Sequence, residues 1–348
     1  MFELFRTQLK TAYNLDRVVS VDESILLWRG HHSLRRYIPS KAHAWGFKFY
    51  ALAESSTGYI YDLLVDEGSQ ARTRPEEVYP GLQKPGRVIM TLMESILDRG
   101  HLLGVDNFYT DITLFETLLS RGTHCIGTVR KGRRLLPKQI VNSKWRKVDK
   151  GKITALYRED MLLFSWIDKR AVRILSTIGS AELIEQKPQA IHVYNEAMPG
   201  VDLGDQKRHG RQVARKRLSK WYTKFFFHII DIALVNTYCI SKHVPELKDM
   251  KHSEFRLCLV DMIFRRFGRG RPQAPAQRLN NVTVLSRLTE RHCNIAHSEK
   301  PRRCVVCSAN GMRKRTVYYC VDCDKGLCPA HCFSIYHSQV DISRFRGR

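Results

Sequence analysis

Val18-Val19-Ser20-Val21-Asp22 is a run of β-branched residues that delivers a carboxylate at its end, and Leu102-Leu103-Gly104-Val105-Asp106 does the same further along the chain. β-branched and aliphatic residues pack well on a pleated surface, so each run predicts a short strand that belongs in a sheet interior. An aspartate at the end of such a strand is unusual company for a core, and two of them decide how the rest is read.

Working outward, residues 45–53 and 59–65 alternate as strands around a turn at Ser55-Ser56-Thr57-Gly58, which with 18–21 predicts three antiparallel strands. Residues 88–97 have helical periodicity, 101–105 form a strand, and 111–119 form a second helix started by Asp111, a residue favoured both as a cap and by the helix dipole. A strand over 123–129 follows. Strands first, then strands alternating with helices, predict an α/β fold with a mixed sheet flanked by helices. Residues 130–152 are strongly basic and precede three strand-like runs at 153–157, 161–166 and 172–177, so 130–182 reads as a β-rich basic insertion. Helical pattern returns from about residue 195, with long helices predicted over 219–243 and 253–267. Gly268, Gly270, Pro272 and Pro275 then mark a linker. The expected division is a catalytic domain over 1–267, a linker over 268–300 and a cysteine-rich domain over 301–340.

The 348 residues carry a formal charge of +24 with 43% hydrophobic content. The apolar fraction is that of a globular protein, whereas so much like charge repels itself unless a polyanion offsets it, which makes nucleic acid the expected partner. Lys and Arg recur along the chain rather than on one amphipathic helix, which argues against a membrane surface. The most apolar stretch, 225–240, is interrupted by His228, Asp231 and Asn236 and reads as a core helix, not a bilayer span. No secretory signal is seen in the first ten residues, so an intracellular protein is expected.

Asp202 and Asp205 lie three apart in Gly200-Val-Asp-Leu-Gly-Asp-Gln, which on a helix puts both on one face. Two carboxylates about 4 Å apart repel by roughly 4 kcal/mol at an effective dielectric of 20, so a cluster of them implies a cation. Oxygen-only donors select a hard ion such as Mg²⁺ or Mn²⁺, and a pair of these suits in-line phosphoryl displacement. The spacing of the acids forms no motif by itself, and surface carboxylates are the bland alternative for each.

The words around the acids are more specific. Val21-Asp-Glu-Ser-Ile-Leu-Leu-Trp-Arg-Gly, followed by Tyr37-Ile-Pro-Ser-Lys and Trp45-Gly-Phe-Lys, resembles the first catalytic block of piggyBac transposases. Val105-Asp-Asn-Phe-Tyr-Thr resembles the second, and Met198-Pro-Gly-Val-Asp-Leu-Gly-Asp-Gln the third, with Arg215-Lys-Arg and Trp221 following. The resemblance implies a ribonuclease H-like fold with Asp22, Asp106 and Asp202 as catalytic, Mg²⁺-binding residues and Asp205 as a fourth acidic contributor. It implies cut-and-paste cleavage and strand transfer at TTAA sites, with transposon-end DNA as partner, homodimerisation and a nuclear location. The family carries a helical region ahead of the first aspartate, whereas 21 residues precede Asp22, so the expectation is a catalytic core without that region. A domesticated, catalytically silent DNA- or chromatin-binding derivative is the alternative.

Arg130, Lys131, Arg133 and Arg134 lie beside the strand expected to end near the acids, and Arg215, Lys216 and Arg217 follow the third block. All seven are candidate phosphate contacts, with a solvated loop as the alternative for the first group and a nuclear import signal for the second. Near the end of the chain, Cys304, Cys307, Cys320, Cys323, Cys328, His331, Cys332 and His337 supply eight thiophilic ligands in paired spacings. Eight suit two Zn²⁺ ions, which would hold together a segment too small and polar for its own core. The favoured pairing is interleaved, with Cys304, Cys307, Cys328 and His331 on one ion and Cys320, Cys323, Cys332 and His337 on the other. A single zinc with spare cysteines is the alternative. The module resembles the cysteine-rich domain of piggyBac elements, which implies DNA-end recognition. In isolation it would also suit a histone-tail reader or a ubiquitin-ligase finger.

Overall fold

The computed structural model describes residues 1–38, 45–68, 73, 77–133, 135–141, 149–210, 212–213, 220–268, 287–288, 292–296, 300–329 and 331–343. The chain divides into two compact units, Met1–Met262 and Ile263–Arg348.

The first unit opens with α1 (Phe2–Thr11) and the strands β1 (Val18–Leu27), β2 (Arg35–Tyr37), β3 (Trp45–Glu54) and β4 (Ile60–Val65). There follow α2 (Lys84–Met93), β5 (Leu102–Val105), α3 (Ile112–Ser120) and β6 (His124–Thr128). Asp111 caps α3 as expected, its side chain accepting the Thr113 N–H. After α4 (Lys138–Val141) come β7 (Ile153–Arg158), β8 (Met161–Ile167) and β9 (Ala171–Ser176), then the short pair β10 (Leu183–Ile184) and β11 (Lys187–Pro188). The unit continues with α5 (Gln189–Ala197), α6 (Gly200–Arg208) and α7 (Trp221–Ser241), and α8 (His252–Phe267) spans the division between the units.

The main sheet has the order β2-β3-β1-β5-β6-β9-β8-β7, with β4 also paired to β3. β1–β5 and β5–β6 are parallel and the remaining pairs antiparallel, so the mixed sheet of the sequence reading is present. The described strands of 130–182, the segment expected to be a β-rich basic insertion, pair with this sheet. β9 pairs directly with β6 and β8 with β9, so these strands continue the central sheet.

Alternation along β1 divides the core. Val19 and Val21 enter a cluster with Val88, Met90, Leu114 and Phe115 on the α2/α3 side. Leu26 joins Phe49, Ala51, Val201 and Ile232 in a cluster toward α6 and α7. α7 is long and apolar enough to cross a membrane by composition, yet its polar residues explain its true place. Buried Asn236 accepts the Ile60 N–H at 2.9 Å and donates to the Ile60 carbonyl at 2.7 Å, acting as a strand partner for the edge of β4. A polar side chain in that role marks a core helix.

The second unit contains β12 (Asn294–Ala296), β13 (Arg302–Arg303), α9 (Val305–Ala309), β14 (Arg315–Thr316), β15 (Tyr318–Cys320), β16 (Lys325–Gly326) and α10 (His331–Ser338). β12 pairs with β15, Asn294 opposite Cys320, so the expected linker over 268–300 already contributes a strand to this unit.

Candidate functional site

The acids are assembled by strand register. β1 and β5 run parallel with Val21 opposite Val105, which sets Asp22 and Asp106 one step further along on neighbouring strands. Residues two apart on a strand share a face, so Ser20 and Asp22, like Gly104 and Asp106, lie on the side that α5 and α6 cover. That cover is very close. A Cβ on Gly104 would stand 2.8 Å from the Cβ of Ala197, and one on Gly200 would stand 2.6 Å from Ser20 Oγ and 2.8 Å from the Glu54 carbonyl oxygen. Two glycines thus let the α5–α6 junction sit directly on the sheet, and a hydrogen bond from Ser55 Oγ to the Ala197 carbonyl pins it. Asp202 projects from the first turn of α6, just past this contact.

Asp22 and Asp106 are half-buried and Asp202 is exposed. Asp22 Oδ1 accepts the N–H of Glu23 at 2.7 Å. Asp106 Oδ1 accepts the N–H of Phe108 at 2.6 Å, and its carbonyl accepts Thr110 Oγ1 at 3.0 Å, closing a tight turn. Two tyrosines register both charges. Burial first, and then charges including those of Asp22 and Asp106, hold the Tyr109 phenol well above its usual range. Tyr194 is raised by burial, opposed by a bond from Thr128, with Asp106 and Asp22 adding to the rise.

Asp205 meets the same face of β1 two residues beyond Asp22. It accepts Ser24 Oγ at 2.9 Å and pairs with Arg208, whose guanidinium also donates to Ser24 Oγ at 3.1 Å. Among the described residues, the sets of three or more donors that close to within 4.8 Å both lie in the second unit, and Asp22, Asp106 and Asp202 are not among them. Asp22 and Asp106 thus lie on neighbouring strands, with Asp202 on the helix that packs against β1.

The basic residues near Asp106 have distinct employment. Arg133, partly buried, donates to the Thr110 carbonyl at 2.7 Å and the Phe108 carbonyl at 3.3 Å, so it braces the turn that carries Asp106. Burial lowers its pKa. Exposed Arg130 bonds Asn107 Oδ1 and lies 5.7 Å from the centre of the Phe108 ring, while Lys131 is exposed beside it. Arg134, Arg215, Lys216 and Arg217 lie outside the described residues.

In the second unit the donors converge, with a different pairing from the one expected. One set is Cys304, Cys307, Cys328 and Cys332, and the other is His292, Cys320, Cys323 and His337. Cys332 thus takes the place assigned to His331, and His292 takes the place assigned to Cys332. The reason is helical. Neighbours in α10 point about 100° apart, so the turn that brings Cys332 toward Cys307, at 3.6 Å, leaves His331 exposed. His292 carries no Cys-x-x-Cys signature. Its signal was the short strand after it, whose pairing with β15 brings the ring beside Cys320 and Cys323.

Both sets fit tetrahedral ligation. Thiolates at 2.3 Å from one ion stand about 3.8 Å apart, and Cys307 lies 3.6 Å from Cys332 and 4.0 Å from Cys328. A mixed nitrogen and sulfur edge is about 3.6 Å, and His292 Nδ1 lies 3.5 and 3.4 Å from Cys320 and Cys323, with His337 Nε2 3.6 Å from Cys323. His337 Nδ1 is 2.8 Å from the Phe333 carbonyl, which fixes the tautomer with Nε2 facing the set. Burial and then the neighbouring Cys320 push the Cys323 thiol up to about 11, and burial and then Cys304 push Cys328 up to about 11. Thiolates so crowded need a cation.

Residues 1–238 match the sequence pattern of the family described as Transposase IS4. The chain is 27% identical to human PiggyBac transposable element-derived protein 3, covering 92% of this chain and 55% of that protein. With human PiggyBac transposable element-derived protein 2 it shares 24% identity, covering 84% and 52% respectively, so it spans about half the length of the curated relatives it matches. Its fold is like that of the piggyBac transposase in a synaptic complex with hairpin DNA, with a TM-score of 0.72 at 24% identity, covering 94% of this chain and 70% of that one. The likeness bears out the expected α/β fold with a mixed sheet flanked by helices. On the match over residues 1–238, this chain belongs to that transposase family, and its relatives and fold are of the piggyBac type.

Proposed function

We propose that the chain is the DNA-cleaving core of a piggyBac-type transposase, acting in the nucleus as a homodimer on transposon ends and TTAA targets. One observation carries this reading: the parallel pairing of β1 with β5 runs as far as Val21 and Val105, so Asp22, within β1, and Asp106, just after β5, lie on neighbouring chain segments, and the first turn of α6, bearing Asp202, packs over the same face. Oxygen-only donors there suit a pair of Mg²⁺ or Mn²⁺ ions. Asp22, Asp106 and Asp202 would hold such ions, which would supply activation of an attacking hydroxyl and charge stabilisation of a departing 3′ oxygen for in-line displacement at phosphorus. The protein's part is placement. Arg133 and the Asp106 turn hold one carboxylate, the glycine contacts hold another, and Arg130 and Lys131 lie where phosphates would approach.

The two Cys/His sets are assigned to Zn²⁺, and the exposed Arg303, Arg313, Lys314 and Arg315 beside them to phosphates of the transposon end. A second reading, a silent DNA-binding derivative, is favoured by the engagement of Asp205 with Arg208 and Ser24. One experiment tests both. The full chain and Asp106→Asn are incubated with labelled transposon-end duplex and Mg²⁺ or Mn²⁺. Metal-dependent nicking by the parent alone supports the enzyme, and binding without nicking by either supports the silent derivative. Absence of binding overturns both readings.

A further inference from the structure

The expected linker supplies more than a ligand. Arg287, only 5% exposed, donates from Nη1 to the Tyr336 carbonyl and, at 2.8 Å, to the Gln339 carbonyl, while Nη2 donates to the Val340 carbonyl at 2.7 Å. Its guanidinium also lies over the Tyr336 ring, 4.7 Å from the centre. The Tyr336 carbonyl is in the last turn of α10 and those of Gln339 and Val340 follow its end, where the helix leaves carbonyls without N–H partners and its dipole favours a cation. Burying a guanidinium is costly unless its donors are satisfied, so three carbonyls and an aromatic face amount to a built socket.

α10 bears a donor for each metal set. Cys332 lies in its first turn and His337 in its last, immediately after Tyr336. A short helix frays at its end without a cap, and fraying here would move His337 while leaving Cys332 on the better-held turn. His292, five residues after Arg287, stacks on the His337 ring with centres 4.3 Å apart. Arg287 thus grips the C-terminal end of α10 with its guanidinium, and His292 stacks on the histidine in the last turn.

We propose that Arg287 is the positioning residue of the His292/Cys320/Cys323/His337 set, fixing the helical turn that presents His337 to the ion shared with His292, and that it has no such part in the Cys304/Cys307/Cys328/Cys332 set. The inference rests on the assignment of both sets to metal. It is the counterpart of an outer-shell partner that orients a ligand, whose loss typically weakens metal binding about 10- to 100-fold.

The test is a Co²⁺ titration of the metal-free full chain, followed by absorption spectroscopy. The parent is expected to take up two ions, one with the spectrum of a four-sulfur site and one with that of a two-sulfur, two-nitrogen site. Arg287→Ala should weaken the second ion about 10- to 100-fold and leave the four-sulfur site at parental affinity. Arg287→Lys, which keeps the charge but loses the planar fork, should fall between them. His292→Ala should change the second spectrum itself. Parental affinity at both sites in Arg287→Ala refutes the positioning role, and so does equal weakening of both, which would mark a general loss of folding. A parent that binds one ion overturns the two-site assignment instead.

Discussion

Gly200→Ala isolates the contact that sets Asp202 over the sheet. The added Cβ would lie 2.6 Å from Ser20 Oγ and 2.8 Å from the Glu54 carbonyl oxygen. Ser20 Oγ can rotate away, whereas the Glu54 carbonyl belongs to β3 and accepts the Gly58 N–H at 2.9 Å. Restoring an ordinary separation of about 3.4 Å therefore moves α6 by about 0.6 Å. Overpacking of this kind costs about 1–3 kcal/mol, and the better helix propensity of alanine returns at most about 1 kcal/mol, so the net loss is roughly 0–3 kcal/mol. Function is more sensitive, because a misplacement approaching 1 Å in a reacting array can cost about 100-fold. The expected result is a shift of a few degrees in thermal midpoint with a fall of about 100-fold in metal-dependent nicking. Ser20→Ala in the same chain should not rescue the loss, since the Glu54 carbonyl remains. Parental cleavage in Gly200→Ala, or a loss no larger than the loss of folded protein, refutes the argument that this contact positions Asp202.

Three further outcomes are expected. Asn236→Leu strands the Ile60 N–H and carbonyl and should cost about 2–4 kcal/mol in chemical denaturation, and a loss under 1 kcal/mol would show that another group takes over the edge of β4. Burial, with help from the charges of Arg208 and Lys224, holds the fully buried His228 well below its usual pKa, so it stays neutral in the fold while the unfolded chain takes up a proton below about pH 6.5. Its contribution to stability is thus present above that pH and lost as pH falls, by up to about 1.4 kcal/mol per unit, and His228→Phe should flatten the acid limb by about one proton. An unchanged slope refutes this. Cys332→Ser should release one metal ion and His331→Ala neither, read by the stoichiometry of bound zinc, and the reverse result would restore the interleaved pairing.

Local chemistry was legible in the sequence and long-range register was not. Asp111 announces its helix because a cap acts within three residues. The polar interruptions of α7 exclude a bilayer because they need partners wherever the helix lies. The strands of residues 153–177 were found one by one, but their membership of the central sheet depends on β9 pairing with β6 across about 45 residues, which no local pattern encodes. A clue was available in Met161-Leu-Leu-Phe-Ser-Trp-Ile. This run has no alternation, six of its seven residues are buried, and a strand apolar on both faces belongs inside a sheet.

The same distinction explains the fate of the candidate ligands. Asp22 and Asp106 stand out in the sequence because each follows a short apolar run, and the parallel pairing of those runs sets the two residues side by side, although β1 itself continues past Asp22 to Leu27. Asp205 shares a helix face with Asp202, and spacing alone joined them. Just under one turn further along α6, Asp205 meets Ser24 and Arg208, whose buried guanidinium needs a carboxylate partner. His292 was missed for the opposite reason. Its partners at Cys320 and Cys323 lie about 30 residues away, and a strand pairing rather than a spacer delivers it. Ligands set by a turn can be counted from sequence, and ligands set by register have to be inferred from which strands pair.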